Sequence, residues 1–161
     1  KEKNSVIKLI AKCHTNNEGA LEALTVVPTF IKKDASLGLT NNEFNGVLVE
    51  SALADQQFFY GKGAGRYPTS SAVLSDISAY GYGYNYEYKK GRTEFIQAEN
   101  CTGKFYLSFA KGVELDRDLF DSIDEEFTSA QRSFIVGSIS LTTLRESVVL
   151  SNPDISIISL N

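Results

Sequence analysis

The sequence has no tryptophan and no methionine, and it contains only two cysteines, one histidine and three prolines in 161 residues. It also lacks an apolar run of the roughly 20 residues that a membrane-spanning helix requires. Cys13 and Cys101 lie far apart and no second histidine joins them, so no metal site is predicted. Because methionine is normally trimmed only before a small residue, Lys1 predicts a piece of a longer protein.

The charge balance excludes several partners. Basic residues number 16 and acidic residues 20, for a net charge of −4. Without a basic stripe, neither a nucleic acid nor a membrane is expected as a partner. The N-terminal residues show no apolar core of a secretion signal, which predicts a cytoplasmic protein with reduced cysteines.

Apolar runs separated by turn residues predict strands in the first part of the chain. The strands span residues 6–13, 20–31, 44–50 and 56–60, and the first two form a hairpin. Pro28 is expected to mark a strand end or an edge position. A helix is predicted to begin near Pro68 and to end near Gly81 and Gly83. Its apolar face consists of Ala72, Val73, Ile77 and Tyr80.

The pattern restarts after Gly103. Strands are predicted around residues 105–109, 134–139 and 155–158, with helices over 115–127 and 141–149. This order predicts a small α+β unit with helices on one face of a sheet. Seven acidic residues between positions 114 and 126 are interpreted as the solvated face of the first helix rather than as a cation site.

Two other features have a functional and a structural interpretation. Five tyrosines alternate with other residues from Tyr80 to Tyr88, which as a strand would place every ring on one face. A stacking surface for bases or sugars is one interpretation, and an aromatic packing linker is the favoured one. His14 lies in a predicted turn and is expected to be exposed rather than catalytic.

The glycines at positions 61, 63 and 65 stand where a predicted strand meets a predicted helix. Glycine lets the backbone approach a ligand closely, and a helix start supplies unpaired N–H groups. The spacing is neither the dinucleotide fingerprint nor a P-loop. A tight structural turn explains three spaced glycines equally well.

The flanks of this segment make it specific. Phe59-Tyr-Gly-Lys-Gly-Ala-Gly-Arg-Tyr-Pro-Thr69 follows Val27-Pro-Thr-Phe-Ile31 and Asn41-Asn-Glu-Phe-Asn-Gly-Val-Leu-Val49, and it precedes Ala72-Val-Leu-Ser-Asp-Ile77. Together they closely resemble the end of the catalytic domain of homoserine dehydrogenase, from about residue 6 to residue 77.

The resemblance implies an oxidoreductase that interconverts L-homoserine and L-aspartate 4-semialdehyde with NAD or NADP, on the pathway to threonine and methionine. It implies that Gly65, with Gly63 and Ala64 beside it, approaches the cofactor. The family's catalytic lysine lies in an Asp-Pro-x-x-Asp…Gly-x-Asp-x-x-x-Lys segment that this sequence lacks. Lys8 and Lys12 match none of it, so no catalytic residue is assigned. The chain alone is expected to be inactive, and no cofactor is expected to be tightly bound to it.

The resemblance also implies a fold and an assembly. The expected fold is α+β, with a mixed or antiparallel sheet in residues 1–90 and a small, truncated ACT-like domain of ferredoxin type in residues 91–161. That domain is expected to have one strand fewer than the βαββαβ pattern. A homodimer, a small-molecule substrate and an amino-acid effector are the expected partners. The alternative function is a regulatory amino-acid-binding and oligomerisation module.

Overall fold

The computed structural model describes residues 4–15, 21–84 and 101–160. They belong to two compact units, one of residues 1–31 and 93–161 and one of residues 32–92. Within the described ranges, the strands are β1 (Ser5–Thr15), β2 (Leu21–Lys32), β3 (Phe44–Ser51), β4 (Asp55–Lys62), β5 (Thr102–Ala110), β6 (Ser122–Thr128), β7 (Arg132–Ser140) and β8 (Ile155–Leu160). The α-helices in these ranges are α1 (Ser36–Leu39), α2 (Arg66–Gly81) and α3 (Leu141–Glu146). Short 3₁₀ turns occupy Arg117–Leu119 and Val148–Leu150.

The first unit is built on a six-stranded sheet of order β1-β2-β8-β5-β7-β6. Strand β5 pairs antiparallel with β7 and β8, and β6 pairs antiparallel with β7. Its core follows the alternation of β5 and β7, since Leu107 and Ile139 are fully buried while their sequence neighbours are not. The predicted strands at 105–109, 134–139 and 155–158 are therefore confirmed.

The prediction of a helix over 115–127 is wrong. This segment forms a 3₁₀ turn, capped by the Asp116 side chain accepting from the Asp118 N–H, followed by the edge strand β6. Apolar residues four positions apart lie on one face of a strand as well as on one face of a helix. The pairing with β7 makes this segment a strand. All seven acidic residues are exposed, but only Asp124, Glu125 and Glu126 lie on this strand, and Asp124 lies 2.7 Å from Lys104 Nζ.

Strand β6 also corrects the expected strand count. From Thr102 onward the elements run strand, 3₁₀ turn, strand, strand, helix, strand. The segment therefore is not one strand short of the βαββαβ order, because β6 is present. Its first helix is reduced to a single 3₁₀ turn. Numbered within the segment, the sheet order β8-β5-β7-β6 is 4-1-3-2.

The long strands β1 and β2 confirm the first two predicted strands, with two corrections. Pro28 lies inside β2, which is an inner strand, rather than at an end or an edge. This is possible because β8 pairs with β2 only from Thr29 to Phe30, beyond the proline. His14 lies in β1 rather than in a turn, is half-buried, and has its Nε2 3.0 Å from Thr25 Oγ1.

The second unit contains the antiparallel hairpin β3–β4 and the helix α2. The predicted helix from Pro68 to the glycines is confirmed. Gly83, with φ of +70°, closes it because the Gly83 and Tyr84 N–H groups donate to the carbonyls of Tyr80 and Ala79. None of the α2 side chains is buried, so its predicted apolar face is exposed.

The tyrosine run begins in this helix. Tyr80 belongs to the last turn of α2, which excludes one continuous strand from Tyr80 onward. Tyr86 and Tyr88 lie outside the described residues. None of the described helices is long and apolar enough to cross a membrane.

Candidate functional site

The glycine loop, residues 61–65, connects β4 to α2 in the second unit. Its start is held by the hairpin. The Gly63 N–H donates to the Glu43 carbonyl at 3.3 Å, and Lys62 Nζ lies 2.9 Å from the Glu43 carboxylate. The Lys62 hydrogen bond lowers the pKa of Glu43, so this carboxylate is charged at neutral pH. These contacts fix where the chain leaves the sheet.

Gly65 is the N-cap of α2 and has φ of +113° and ψ of 157°. This combination is essentially restricted to glycine, so the residue type is required by the backbone. No side chain caps this helix end, and Pro68 lacks an N–H at its third position. The N–H groups of the first turn have no acceptor within the helix and carry its partial positive charge.

Gly63 differs from Gly65 in that a neighbouring side chain crowds it. A Cβ at this position would lie 1.6 Å from Asn45 Nδ2. Asn45 is opposite Gly61 across the hairpin, so its side chain reaches diagonally to Gly63. The prediction from sequence did not assign Asn45 to the site. The only signal in the sequence is that Asn45 lies near the start of β3, within the resembling segment of residues 41–49.

The loop remains open to a ligand. A Cβ added to Gly61 meets no atom within 4 Å, and one added to Gly65 meets only Pro68 Cδ at 3.7 Å. An approachable backbone beside a positive helix end fits an anionic or polar portion of a nucleotide cofactor. Among the described residues, no group of His, Cys, Asp and Glu side chains is arranged to hold a metal ion.

Comparisons with known proteins place this loop in a family context. The family model described as homoserine dehydrogenase matches residues 1–78. The homoserine dehydrogenase of Synechocystis is 49% identical over 74 residues, covering 45% of this chain and 17% of that protein. The homoserine dehydrogenase of Corynebacterium glutamicum is 45% identical over 75 residues, covering 44% and 17%. The matched segment is thus a small part of each relative.

Solved structures extend the likeness in fold to nearly the whole chain. A homoserine dehydrogenase from Thiobacillus denitrificans matches with a TM-score of 0.64 and 20% identity, over 99% of this chain and 43% of that one. The Staphylococcus aureus enzyme at pH 7.0 matches with a TM-score of 0.56 and 22% identity, over 98% and 42%. Residues 1–78, just under half of this chain, thus match the homoserine dehydrogenase family model.

Proposed function

We propose that this chain forms part of an NAD(P)-dependent oxidoreductase that interconverts L-homoserine and L-aspartate 4-semialdehyde. The observation that carries the proposal is the glycine loop, in which Gly65 holds a glycine-only conformation at the start of α2 within the matched segment. Both NAD and NADP remain candidates. The pathway to threonine and methionine and a cytoplasmic location belong to the same proposal.

In this role the loop supplies cofactor contacts rather than a catalytic group. When bound, the nicotinamide cofactor carries the hydride. Gly63, Ala64 and Gly65 would hold it through close backbone approach, and the first N–H groups of α2 would bind its polar or anionic atoms. Asn45 would keep the loop in place from the side opposite the ligand, through its contact with Gly63.

A chimera tests this role directly. Residues 1–78 replace the equivalent segment of the Synechocystis relative, and homoserine-dependent reduction of NAD(P)⁺ is followed by absorbance. We expect activity in the chimera, retention with Gly61→Ala, and a large loss with Gly65→Ala. An inactive chimera that nevertheless has native circular dichroism and native size would contradict the proposal.

The isolated chain gives a second test. Its sequence contains no segment matching the family's catalytic lysine motif. We therefore expect the 161-residue protein alone to show no NADPH-dependent reduction of aspartate semialdehyde. Measurable turnover by the purified chain, absent from a mock purification, would overturn this assignment.

A second candidate function is regulation, with an ACT-like domain in residues 91–161 following a catalytic part in residues 1–90. Its support is the 4-1-3-2 antiparallel sheet of the elements from Thr102 to Leu160. This is the order of a ferredoxin-like βαββαβ unit. Calorimetric titration with threonine, methionine and lysine tests it. Heat of binding from one of these amino acids supports regulation. If none of the three gives heat of binding or a thermal shift, the regulatory role is contradicted.

The proposed assembly is a homodimer. Val47 and Phe59 pair across the hairpin β3–β4 and are 56% and 58% exposed, an apolar face that a second copy would cover. Sedimentation at several concentrations should give a dimer that Val47→Lys weakens. A monomer at every concentration would reject it.

A further inference from the structure

The six-stranded sheet of the first unit has helical elements packed against one face. Leu107 of β5 is buried there in one cluster with Leu119 and Val149 of the two 3₁₀ turns and Leu144 of α3. Because successive residues of a strand point to opposite faces, Tyr106 lies on the other face. All helical elements described in this unit therefore bury a side chain on the Leu107 face, and we call the Tyr106 face the open face.

The open face is apolar across five strands. Strand pairing places Val136 and Ile158 opposite Tyr106, and Phe127 opposite Phe134. Two of its apolar side chains, Val26 and Phe127, are 65% and 52% exposed, and the others are half-buried. The apolar members on β2, β8, β5, β7 and β6 are Val26, Phe30, Ile158, Leu160, Tyr106, Phe134, Val136 and Phe127.

Four aromatic rings form a continuous ladder across the open face. The ring centroids of Phe30 and Tyr106 are 6.0 Å apart, those of Tyr106 and Phe134 are 5.1 Å apart, and those of Phe134 and Phe127 are 5.4 Å apart. Each separation lies in the range in which aromatic pairs attract one another. The ladder therefore makes a pre-organised apolar surface, since its rings already support each other.

The size of the open face fits a partner with an equally large flat surface. Five strands at a spacing of about 4.8 Å, each with about seven residues at about 3.4 Å, give an area of about 500 Å². A monomeric protein rarely leaves a larger contiguous apolar patch uncovered. Two such faces packed on each other would bury about 1,000 Å², which reaches the area that a specific interface requires.

The open face is complementary to itself. Ala110 lies opposite Arg132, while Tyr106 and Glu125 each lie opposite Val136, four residues farther along β7. A two-fold axis that crosses the strands midway between these rows would exchange them between two copies. Tyr106 of each copy would then cover the small Ala110 of the other, and Arg132 would face the row that contains Glu125.

The charges of these two rows are available for such a contact. Arg132 is exposed and donates from Nε to the Ser108 hydroxyl at 3.2 Å, and Glu125 on the edge strand β6 is exposed as well. Neither Arg132 nor Glu125 belongs to an ion pair within the described part of the chain. Opposite charges on one face are what an isologous interface between identical chains requires.

We propose that a second copy of this chain docks on the open face, sheet against sheet, with the aromatic ladders of the two copies in contact. Sheets in β-sandwiches pack face to face in this way. The surface is distinct from the exposed hairpin face of Val47 and Phe59, because it belongs wholly to the other unit. The proposal therefore does not depend on the dehydrogenase role or on the hairpin contact.

Sedimentation equilibrium of the full-length chain tests the proposal in a Val47→Lys background, which removes the hairpin contact. We expect a monomer–dimer equilibrium that Val26→Lys or Phe127→Lys weakens at least about ten-fold, since either change would bury an unpaired charge. Val148→Lys is the matched control, because Val148 is 78% exposed in the 3₁₀ turn on the covered side of the sheet, and it should leave the equilibrium unchanged. Circular dichroism verifies that each variant is folded.

A charge exchange tests the orientation of the two copies. Arg132→Glu should weaken the dimer because two carboxylates would then face each other, and Arg132→Glu with Glu125→Arg should restore it. Weakening by the open-face variants together with this restoration supports the proposal. A monomer at every concentration in the Val47→Lys background, equal weakening by Val148→Lys, or a double variant no stronger than Arg132→Glu overturns it.

Discussion

Gly65 has a backbone conformation that side chains disfavour, with φ of +113°. Replacing it with alanine should destabilise the fold by about 1–3 kcal/mol, because the new Cβ is strained by the backbone rather than by a neighbour. Urea unfolding of Gly65→Ala and Gly61→Ala checks this. A Cβ added at Gly61 meets no atom within 4 Å, so this position is the matched control. Equal losses in the two variants would refute the conformational account.

Gly63 and Asn45 are coupled by direct contact. Gly63→Ala should displace the Asn45 amide, since the added Cβ would lie 1.6 Å from its nitrogen. In Asn45→Ala the same glycine substitution should cost less, because the crowding atom is gone. A double-mutant cycle from unfolding free energies measures this coupling, with about 0.5–3 kcal/mol expected for residues in contact. Additive losses would remove Asn45 from the loop's support.

His14 makes stability depend on pH. Its pKa is below the usual 6.5 in the folded protein, chiefly through burial and then through Lys12. The unfolded chain therefore binds the proton more readily than the folded protein. The contribution of His14 to the free energy of unfolding is complete above about pH 6.5 and is lost as pH falls through the folded pKa. His14→Gln should lose less stability than the wild type between about pH 8 and pH 5.5. Identical losses in urea unfolding would contradict this.

At the scale of elements, the strand β5 carries the core of the six-stranded unit. Leu107 is fully buried, so Leu107→Ala should destabilise that unit by about 2–5 kcal/mol through lost burial and a cavity. Leu53, fully exposed in the turn between β3 and β4, is the matched control and should change stability by under about 0.5 kcal/mol. A similar loss at Leu53 would show that burial does not set the cost.

The elements differ in how far sequence patterns predicted them. The hairpin β3–β4 and the helix α2 depend on local signals, namely alternation, Pro68 in the first turn and Gly83 at the end. Strand β6 does not. Its Phe127 stacks on Phe134 of β7 with ring centroids 5.4 Å apart, a contact that no local pattern encodes.

At the scale of the whole molecule, burial is unevenly divided between the two units. The buried hydrophobic cluster lies on β5, β7, α3 and the segments around the two 3₁₀ turns, whereas α2 has no buried side chain. Hydrogen exchange should therefore be slowest in β5 and β7 and faster in α2 and β3–β4. Uniform protection across all these elements would contradict this assignment.

Local sequence was sufficient for the resemblance, the glycine loop and most strands of this protein. Glycine at position 65 and the cap at Gly83 are requirements of a few adjacent peptide units, which a short motif records. The strand identity of residues 122–128 and the half-buried place of His14 were not accessible in that way. They depend on partners outside the segment itself, β7 for residues 122–128 and Thr25 of β2 for His14, and only the assembled sheet brings these partners together.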